Sequence, residues 1–461
     1  MNRPRVRFND RKCFACAATL VAVLGLLAGG ANALANTVWC VPSATLNPAC
    51  TALTTKPHIQ VAVTAAASGD VIVVGPGTYN ESVNIPSTTP NLTLLGAQAG
   101  RDAREGRHDS AGESIVDASG QSSGPGGGAA FYVAAKNVVI DGFTIQGGTG
   151  GDTASGIYVT PGVFPTGILN NIIQNNAVGV FLDTAFLVLV KHNLFETNNA
   201  GEAGSSESIF AGLAGFGVAV NGDDVGTAIV ENAFEGNLAA AIDVDDGQFM
   251  AITGNTSKND GSFAVFMGGG LSFISHNQGR DFGAKGLLGI ANIPLPSYPD
   301  AAILAASTAL VINDNDLEEG KTPNYHGIAF TTYFEPHAGP SELCQVANNK
   351  IRGFTGNGIV AEASSGTGEL VQSQITGNIV VDNGNDGILI EAATLFNANN
   401  LLMDNRAEGN GTYDCEDDTI GSAFAPPVSG TLGTANTWSH DIGISNSPAG
   451  LCTQPQSPVW Q

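Results

Sequence analysis

Short runs of alternating apolar and polar residues recur along most of the chain. In the run at 179–183 the alternation has period two, which is the period of a β-strand. It places Val180 and Leu182 on one face, and Phe181 and Asp183 on the other. The apolar set therefore predicts the buried face of a strand. Runs with the same alternation lie at 241–245 and 387–391.

Asparagines repeat between these runs, usually with a second Asn or Asp five positions on, as from Asn171 to Asn176. The first Asn of each copy falls at Asn171, Asn193, Asn232, Asn255, Asn277, Asn315, Asn349, Asn378 and Asn400. Four of these steps are 22 or 23 residues and the others are longer. A repeat of this length indicates a solenoid, because one unit cannot bury its own apolar face. The Gly, Asn, Val and Ile content favours strand and turn over helix, so the pattern predicts a parallel β-helix with stacked Asn columns.

The segments GDVIVVGPGTYNESVNI (69–85) and NLTLLGAQAG (91–100) carry a family resemblance. With the repeated Asn phrase, they resemble the secreted right-handed β-helix proteins of the pectin-lyase-like superfamily, over nearly all of residues 57–452. The resemblance implies a right-handed, single-stranded parallel β-helix in an all-β chain. It does not select an activity, since this architecture hosts lyases, hydrolases, esterases, epimerases and adhesins.

The chain divides into four predicted segments. We expect a short helix at 57–69 to cover the open end of the solenoid, and loops at 97–129, 199–216 and 279–309 to interrupt the stack. The segments are a signal peptide at 1–35, an N-terminal cap at 36–56, the β-helix at 57–411 and an irregular C-terminal cap at 412–461.

The first 35 residues have the three parts of a signal peptide. Basic residues precede a short apolar core at 14–28, and Ala33-Leu34-Ala35 fits a small-x-small cleavage site. The pattern predicts a secreted protein, whether extracellular, periplasmic or at the cell surface. A retained membrane anchor is the alternative.

Five cysteines follow this leader. Because an exported chain meets oxidising conditions, we expect the disulfides Cys40–Cys50 and Cys415–Cys452, one in each cap. Metal binding is the other interpretation, but these cysteines lack short paired spacings and nearby histidines. Cys344 is left over and is expected to be a small buried side chain.

The chain is strongly acidic, with 42 Asp and Glu, 18 Lys and Arg and a formal net charge of −24. This balance argues against nucleic acid and anionic membranes as partners, since both are bound through basic residues. An anionic polysaccharide would need a cation bridge or a local basic patch.

Aligning the strands by their inward apolar pairs produces two outward columns. The first is Tyr158, Phe181, Ala219, Asp243, Val265, Ala329, Val360 and Leu389; the second is Thr160, Asp183, Asn221, Asp245, Met267, Thr331, Glu362 and Glu391. Aromatic and polar side chains together suit a saccharide, so the predicted ligand-binding residues are Tyr158, Phe181, Asp183, Asn221, Asp243 and Asp245. Oxygen-rich groups suit Ca²⁺, and the predicted metal ligands are Asp223, Asp224, Asp245 and Asp246.

Three interpretations of the acidic face stay open: a Ca²⁺ site, an acid/base pair for glycoside hydrolysis, and a solvated edge. The pectate-lyase resemblance implies an Arg or Lys base beside Ca²⁺, yet the nearest candidates, Lys258 and Arg280, lie on a different turn. The sequence therefore predicts a secreted β-helix contacting extracellular polysaccharide, as a Ca²⁺-dependent lyase-like protein or a glycoside hydrolase. The alternative is a non-catalytic adhesion or structural solenoid.

Overall fold

The computed structural model describes residues 37–42, 50–51, 53–107, 110–121, 127–199, 202–203, 214–283, 301–331, 340–363, 369–393, 395–424 and 427–454. The predicted signal peptide lies outside these residues. In the described part, the chain runs repeatedly through three long parallel sheets, here called A, B and C, and winds into a parallel β-helix.

Each complete coil contributes one strand to each sheet, in the order A, B, C, and the first and last coils are incomplete. Sheet A consists of Val38–Val41, Val71–Val74, Thr93–Leu95, Val138–Asp141, Thr166–Leu169, Val188–Lys191, Ala228–Val230, Ala251–Thr253, Phe273–Ser275, Val311–Asn313, Gln345–Ala347, Gln374–Thr376, Leu401–Met403 and Thr437–Ser439. Sheet B consists of Gly77–Tyr79, Ser114–Asp117, Thr144–Gln146, Ile172–Gln174, Leu194–Glu196, Ala233–Glu235, Thr256–Lys258, Gln278–Phe282, Asp316–Gly320, Lys350–Arg352, Ile379–Val381 and Arg406–Glu408. Sheet C consists of Val83–Ile85, Phe131–Val133, Ser155–Val159, Val178–Asp183, Phe216–Asn221, Ala240–Asp245, Ala264–Gly270, Ala301–Thr308, His326–Phe330, Ile359–Ala361, Ile388–Ile390, Cys415–Asp417 and Asn446–Ser447.

Smaller elements lie outside these sheets. Two short parallel pairs join Gly150–Gly151 to Glu202–Ala203 and Ser341–Glu342 to Leu370–Val371. Three single 3₁₀ turns lie at Ser110–Gly112, Gly421–Ala423 and Thr431–Gly433.

The inward side chains form one continuous apolar core. Val180, Leu182, Ile242 and Val244 have no exposed surface and belong to a single cluster that runs through the coils. The alternation in the sequence had predicted this face, and the prediction is confirmed.

The helix Ile59–Ala65 buries Ile59, Ala62 and Val63 against the first coils. The Glu81 side chain accepts hydrogen bonds from the Ile59 and Gln60 backbone N–H groups, both at 2.9 Å. These are donors that the first turn of a helix leaves without an intrahelical partner. The expected N-terminal helix is therefore confirmed, and a carboxylate from the first coils fixes its start.

An uninterrupted ladder of buried amides follows the corner between sheets A and B. Each Asn Nδ2 donates to the Oδ1 of the next coil's residue at 2.8–3.2 Å. The members are Asn171, Asn193, Asn232, Asn255, Asn277, Asn315, Asn349, Asn378, Asn405 and Asp441.

Asn400 was predicted to be the last member of this ladder, and that prediction is wrong. The partner of Asn378 is Asn405, at 2.9 Å and 27 residues along the chain. Asn400 lies before the sheet A strand and donates to Asn436 instead. The 22-residue step was an accidental match, because a second buried column of polar residues runs along the corner before sheet A.

Three predicted irregular segments contain regular strands. The expected loop at 97–129 includes Ser114–Asp117 of sheet B, and the expected loop at 279–309 includes Ala301–Thr308 of sheet C. Beyond residue 411, Thr437–Ser439 continues sheet A. The coil therefore persists where the Asn phrase and the two-residue alternation are absent from the sequence.

The two expected disulfides are present. Cys40–Cys50 and Cys415–Cys452 have Cα–Cα distances of 5.7 and 6.2 Å. Cys344 is free and buried. Burial raises the pKa of its thiol to about 11, which suits a packed side chain and not a nucleophile.

Candidate functional site

The outward face of sheet C carries the two columns that the sequence predicted. Strand register aligns Tyr158, Phe181, Ala219 and Asp243 on successive coils. The strand Ala301–Thr308 adds one coil to the prediction, because Leu304 lies between Val265 and Ala329. The second column keeps Asp183 beside Asn221 and Asp245 beside Met267.

An aromatic group lies at one end of this face. The rings of Tyr132 and Tyr158 are stacked with centroids 5.5 Å apart, and Phe181 meets Tyr158 edge-on at 5.4 Å. Phe181 is fully buried and Tyr158 is 6% exposed, whereas Tyr132 is partly exposed. Tyr132 is therefore the ring open to a ligand. It was missed because its strand precedes the clear repeats, although it has the same register as Tyr158.

Tyr158 is tied to the acidic column. Its hydroxyl donates to Asp183 Oδ2 at 2.5 Å. Burial, followed by the hydrogen bond to Asp183 and the charge of that carboxylate, raises the pKa of Tyr158. The phenol therefore stays protonated at neutral pH and holds Asp183 in place.

Two carboxyl groups project outward from one strand, Ala240–Asp245. Asp243 and Asp245 are separated by the inward Val244. Burial, and then repulsion from the Asp245 charge, raises the pKa of Asp243 to about 7. Near neutral pH, Asp243 can therefore carry a proton.

The predicted metal ligands differ in burial. Asp223 and Asp246 are exposed at the turns beyond their strands, while Asp224 is fully buried. Among the residues with described coordinates, no group of three or more His, Cys, Asp or Glu side chains is arranged to hold a metal ion. Asp245 lies inside its strand, whereas Asp223, Asp224 and Asp246 follow the ends of theirs.

A second pair of carboxyl groups lies farther along the same face. Burial, and then the charge of Glu391, raises the pKa of Glu362 to about 7. Glu391 accepts a hydrogen bond from the Ala363 backbone N–H at 2.8 Å. The alignment of the outward columns had placed Glu362 and Glu391 on this face. They were left out of the predicted site because fewer carboxylates surround them in that alignment.

Comparisons with known proteins agree on the fold. Residues 203–400 match a family model described as a right handed beta helix region. A search of curated proteins by sequence found no match. The chain therefore has the fold of a right-handed parallel β-helix.

Solved structures with the same fold include three enzymes. The catalytic unit of a GH87 α-1,3-glucanase from Streptomyces thermodiastaticus is 14% identical with a TM-score of 0.51, covering 86% of this chain and 67% of that chain. DFA-IIIase from Arthrobacter chlorophenolicus is 17% identical with a TM-score of 0.48, covering 80% and 94%. An alginate lyase from Paenibacillus sp. is 13% identical with a TM-score of 0.43, covering 72% and 94%. At these identities the likeness is one of fold.

Proposed function

We propose that this protein binds a polysaccharide along the outward face of sheet C and hydrolyses its glycosidic bonds. The observation that carries the proposal is the pair Asp243 and Asp245, two residues apart on the outward face of one strand. The pKa of Asp243 is raised to about 7, so this residue can hold a proton near neutral pH. A buried carboxyl group with a raised pKa suits the general acid of such enzymes, and a second carboxyl group nearby can act as the base. The comparison adds that this fold also serves as the catalytic unit of an α-1,3-glucanase.

The spacing suits an inverting hydrolysis. Residues two apart on one face of a strand are separated by roughly 6.6 Å, and inverting glycosidases place their carboxyl groups roughly 6.5–9.5 Å apart. Asp243 gives its proton to the leaving glycosidic oxygen as the bond from the anomeric carbon to that oxygen breaks. Asp245 takes a proton from the water whose oxygen forms the new bond to the anomeric carbon.

The same face offers groups for binding a sugar. Tyr132 presents a partly exposed ring, and Asn221 and Asp183 present polar atoms on adjacent coils. A lyase is less well supported, because elimination needs a base. In the described strands of sheet C, the outward columns contain no Lys, Arg or His.

Export is part of the proposal. The two disulfides are typical of a chain that folds in an oxidising compartment, and the leader-like first 35 residues suit that route. In the part of the chain with described coordinates, no helix is long and apolar enough to cross a membrane.

The test is to incubate the protein with a panel of neutral and acidic polysaccharides. Hydrolysis is measured from the reducing ends formed and from the anomer that is released first. Asp243→Asn and Asp245→Asn are each expected to lower kcat by about a hundredfold or more, and exposed Asp246→Asn should not. Because Asp243 must be protonated, activity should fall as the pH rises through about 7.

If the wild-type protein binds a polysaccharide but does not cleave it, the enzymatic proposal is contradicted. It would support the non-catalytic adhesion alternative, in which the carboxyl pair serves only as a polar contact.

A further inference from the structure

A groove lies on the outward face of sheet B, away from the acidic face of sheet C. It encloses about 470 Å³ and is lined by charged side chains from successive coils, among them Glu235, Lys258, Arg280, Asp316, Glu318 and Arg352. A flanking pocket of about 320 Å³ shares Gln278 and Asp316 with it and reaches the neighbouring corner. We call this groove the sheet B groove.

One end of the sheet B groove is closed by the chain itself. Ala103, in the segment that follows the sheet A strand Thr93–Leu95, is fully buried against Ile172 and Leu194, and its N–H donates to the His192 carbonyl at 3.1 Å. Leu194 also lines the groove, so the open part begins where this covering segment stops.

The charges in the sheet B groove are paired unequally. Lys258 pairs with Glu235 at 3.3 Å on one side, and Arg352 pairs with Glu318 at 2.8 Å on the other. Arg280 lies between these pairs, in register with both Lys258 and Glu318. Its side chain is exposed and, among the described residues, forms no ion pair or hydrogen bond. The centre of the groove therefore holds a guanidinium that acts on Glu318 and Asp281 through its charge but forms no close ion pair.

A guanidinium without a close ion pair is unusual in a chain with a net charge of −24. The carboxylates nearest to Arg280 along the sheet are engaged by other cations, so an arriving anion would not have to displace an existing partner. The planar fork of Arg matches a carboxylate with two parallel hydrogen bonds, and Lys258 adds a second positive charge one coil away.

We propose that the sheet B groove binds an anionic saccharide, with a sugar carboxylate on Arg280. Gln278 and Thr256 supply neutral polar groups beside the guanidinium, while Ala233 and Leu194 form an apolar floor at the closed end. Hydroxyl-bearing rings need both kinds of contact, which distinguishes a saccharide from a small inorganic anion. This site is separate from the proposed hydrolysis and does not depend on it.

The experiment is calorimetric titration of the full chain with tetragalacturonate, cellotetraose and inorganic sulfate, in buffer without divalent cations. Tetragalacturonate is expected to bind, and its affinity should fall as the salt concentration rises. Cellotetraose, which has no carboxylate, is expected not to bind. Arg280→Ala should weaken binding about tenfold or more, and Arg280→Lys should lose part of that affinity because the charge remains without the fork.

Two matched variants make the result specific. Arg406→Ala removes an exposed Arg of sheet B that pairs with Glu408 and lies outside the groove, so binding should not change. Asp243→Asn should also leave it unchanged, which separates this site from the proposed catalytic face. No binding by wild type, equal binding by Arg280→Ala, or loss with Asp243→Asn alone would each overturn the proposal. Equal competition by sulfate would show an adventitious ion only.

Discussion

Asp224 occupies a corner position that Ala185 fills in the preceding coil, where the side chain packs into the main core. It is fully buried, and neither carboxylate oxygen has a partner with hydrogen-bond geometry. Burial raises its pKa to about 7, only partly offset by the nearby Thr227 side chain and Ala185 backbone. A carboxylate at this position would cost free energy unless it kept its proton.

This residue predicts a pH dependence of stability. Because the pKa of Asp224 is higher in the folded than in the unfolded state, folding favours the protonated form, and stability falls as the pH rises from about 4 to about 7. A shift of this size corresponds to at most roughly 4 kcal/mol in the free energy of unfolding. Asp224→Asn should flatten the profile and stabilise the protein above pH 7.

The measurement is urea unfolding from about pH 5 to about pH 8, a range that includes the pKa of Asp224. The neighbouring exposed Asp223→Asn is the control and should leave the profile unchanged. The pKa values of Asp243 and Glu362 are also raised, so both groups make stability fall as the pH rises. The Asp224→Asn variant should therefore retain part of the wild-type slope. An unchanged slope would show that Asp224 is solvated.

The sequence could not have separated Asp224 from Asp223. Adjacent aspartates after a strand indicate an acidic turn, and the backbone conformation of the corner alone decides which side chain turns inward. Phe181 shows the same limit, since alternation placed it outward correctly but could not show that this position is buried.

At the scale of the element, the amide ladder has a direction. Each Asn donates to the next coil and to a backbone carbonyl, as Asn277 does to Asn315 and to Ile252 O, and accepts from the coil before. The last member, Asp441, only accepts from Asn405 within the ladder. Asp260 ends a parallel ladder in the same way, accepting from Asn237. An Asp carboxylate accepts hydrogen bonds but donates none, so it fits only at the end of a ladder, where it need not donate to a further coil.

Opposite substitutions test this direction. Asn277→Asp removes both donated hydrogen bonds and sets two acceptors against each other, so it should lower the free energy of unfolding by about 3 kcal/mol or more. Asp441→Asn keeps the acceptor for Asn405 but loses the hydrogen bond that the second oxygen accepts from the Ser439 N–H, so it should lower the free energy of unfolding by less, about 1 kcal/mol. Urea unfolding of the two variants decides the matter, and equal losses would contradict a directional ladder.

Elements were predictable wherever the repeat left a signal in the sequence. The buried alternation and the Asn phrase identified most strands, because stacking demands the same residue types at the same place in each coil. Ala301–Thr308 has neither signal: it is rich in alanine, and Pro294, Pro296 and Pro299 precede it. The neighbouring strands hold it in register, and that information is not local.

On the scale of the whole molecule, sheets B and C differ in their basic residues. Five basic residues, Lys258, Arg280, Lys350, Arg352 and Arg406, lie on sheet B. The outward columns of sheet C, in its described strands, carry carboxyl groups without basic neighbours. The two proposed sites therefore lie on different sheets.

The last prediction concerns cations at the acidic face. Burial, and then repulsion from the Asp245 charge, raises the pKa of Asp243, so a divalent cation near the two carboxyl groups would relieve the repulsion. A ligand that binds only the folded state adds about 2.7 kcal/mol at a hundredfold excess over Kd. Millimolar Ca²⁺ should therefore raise the Tm of wild type, and the double variant Asp243→Asn with Asp245→Asn should lose that rise. An equal rise in both proteins would place the cation elsewhere on the acidic surface. No rise in wild type would show that Asp243 and Asp245 hold no divalent cation.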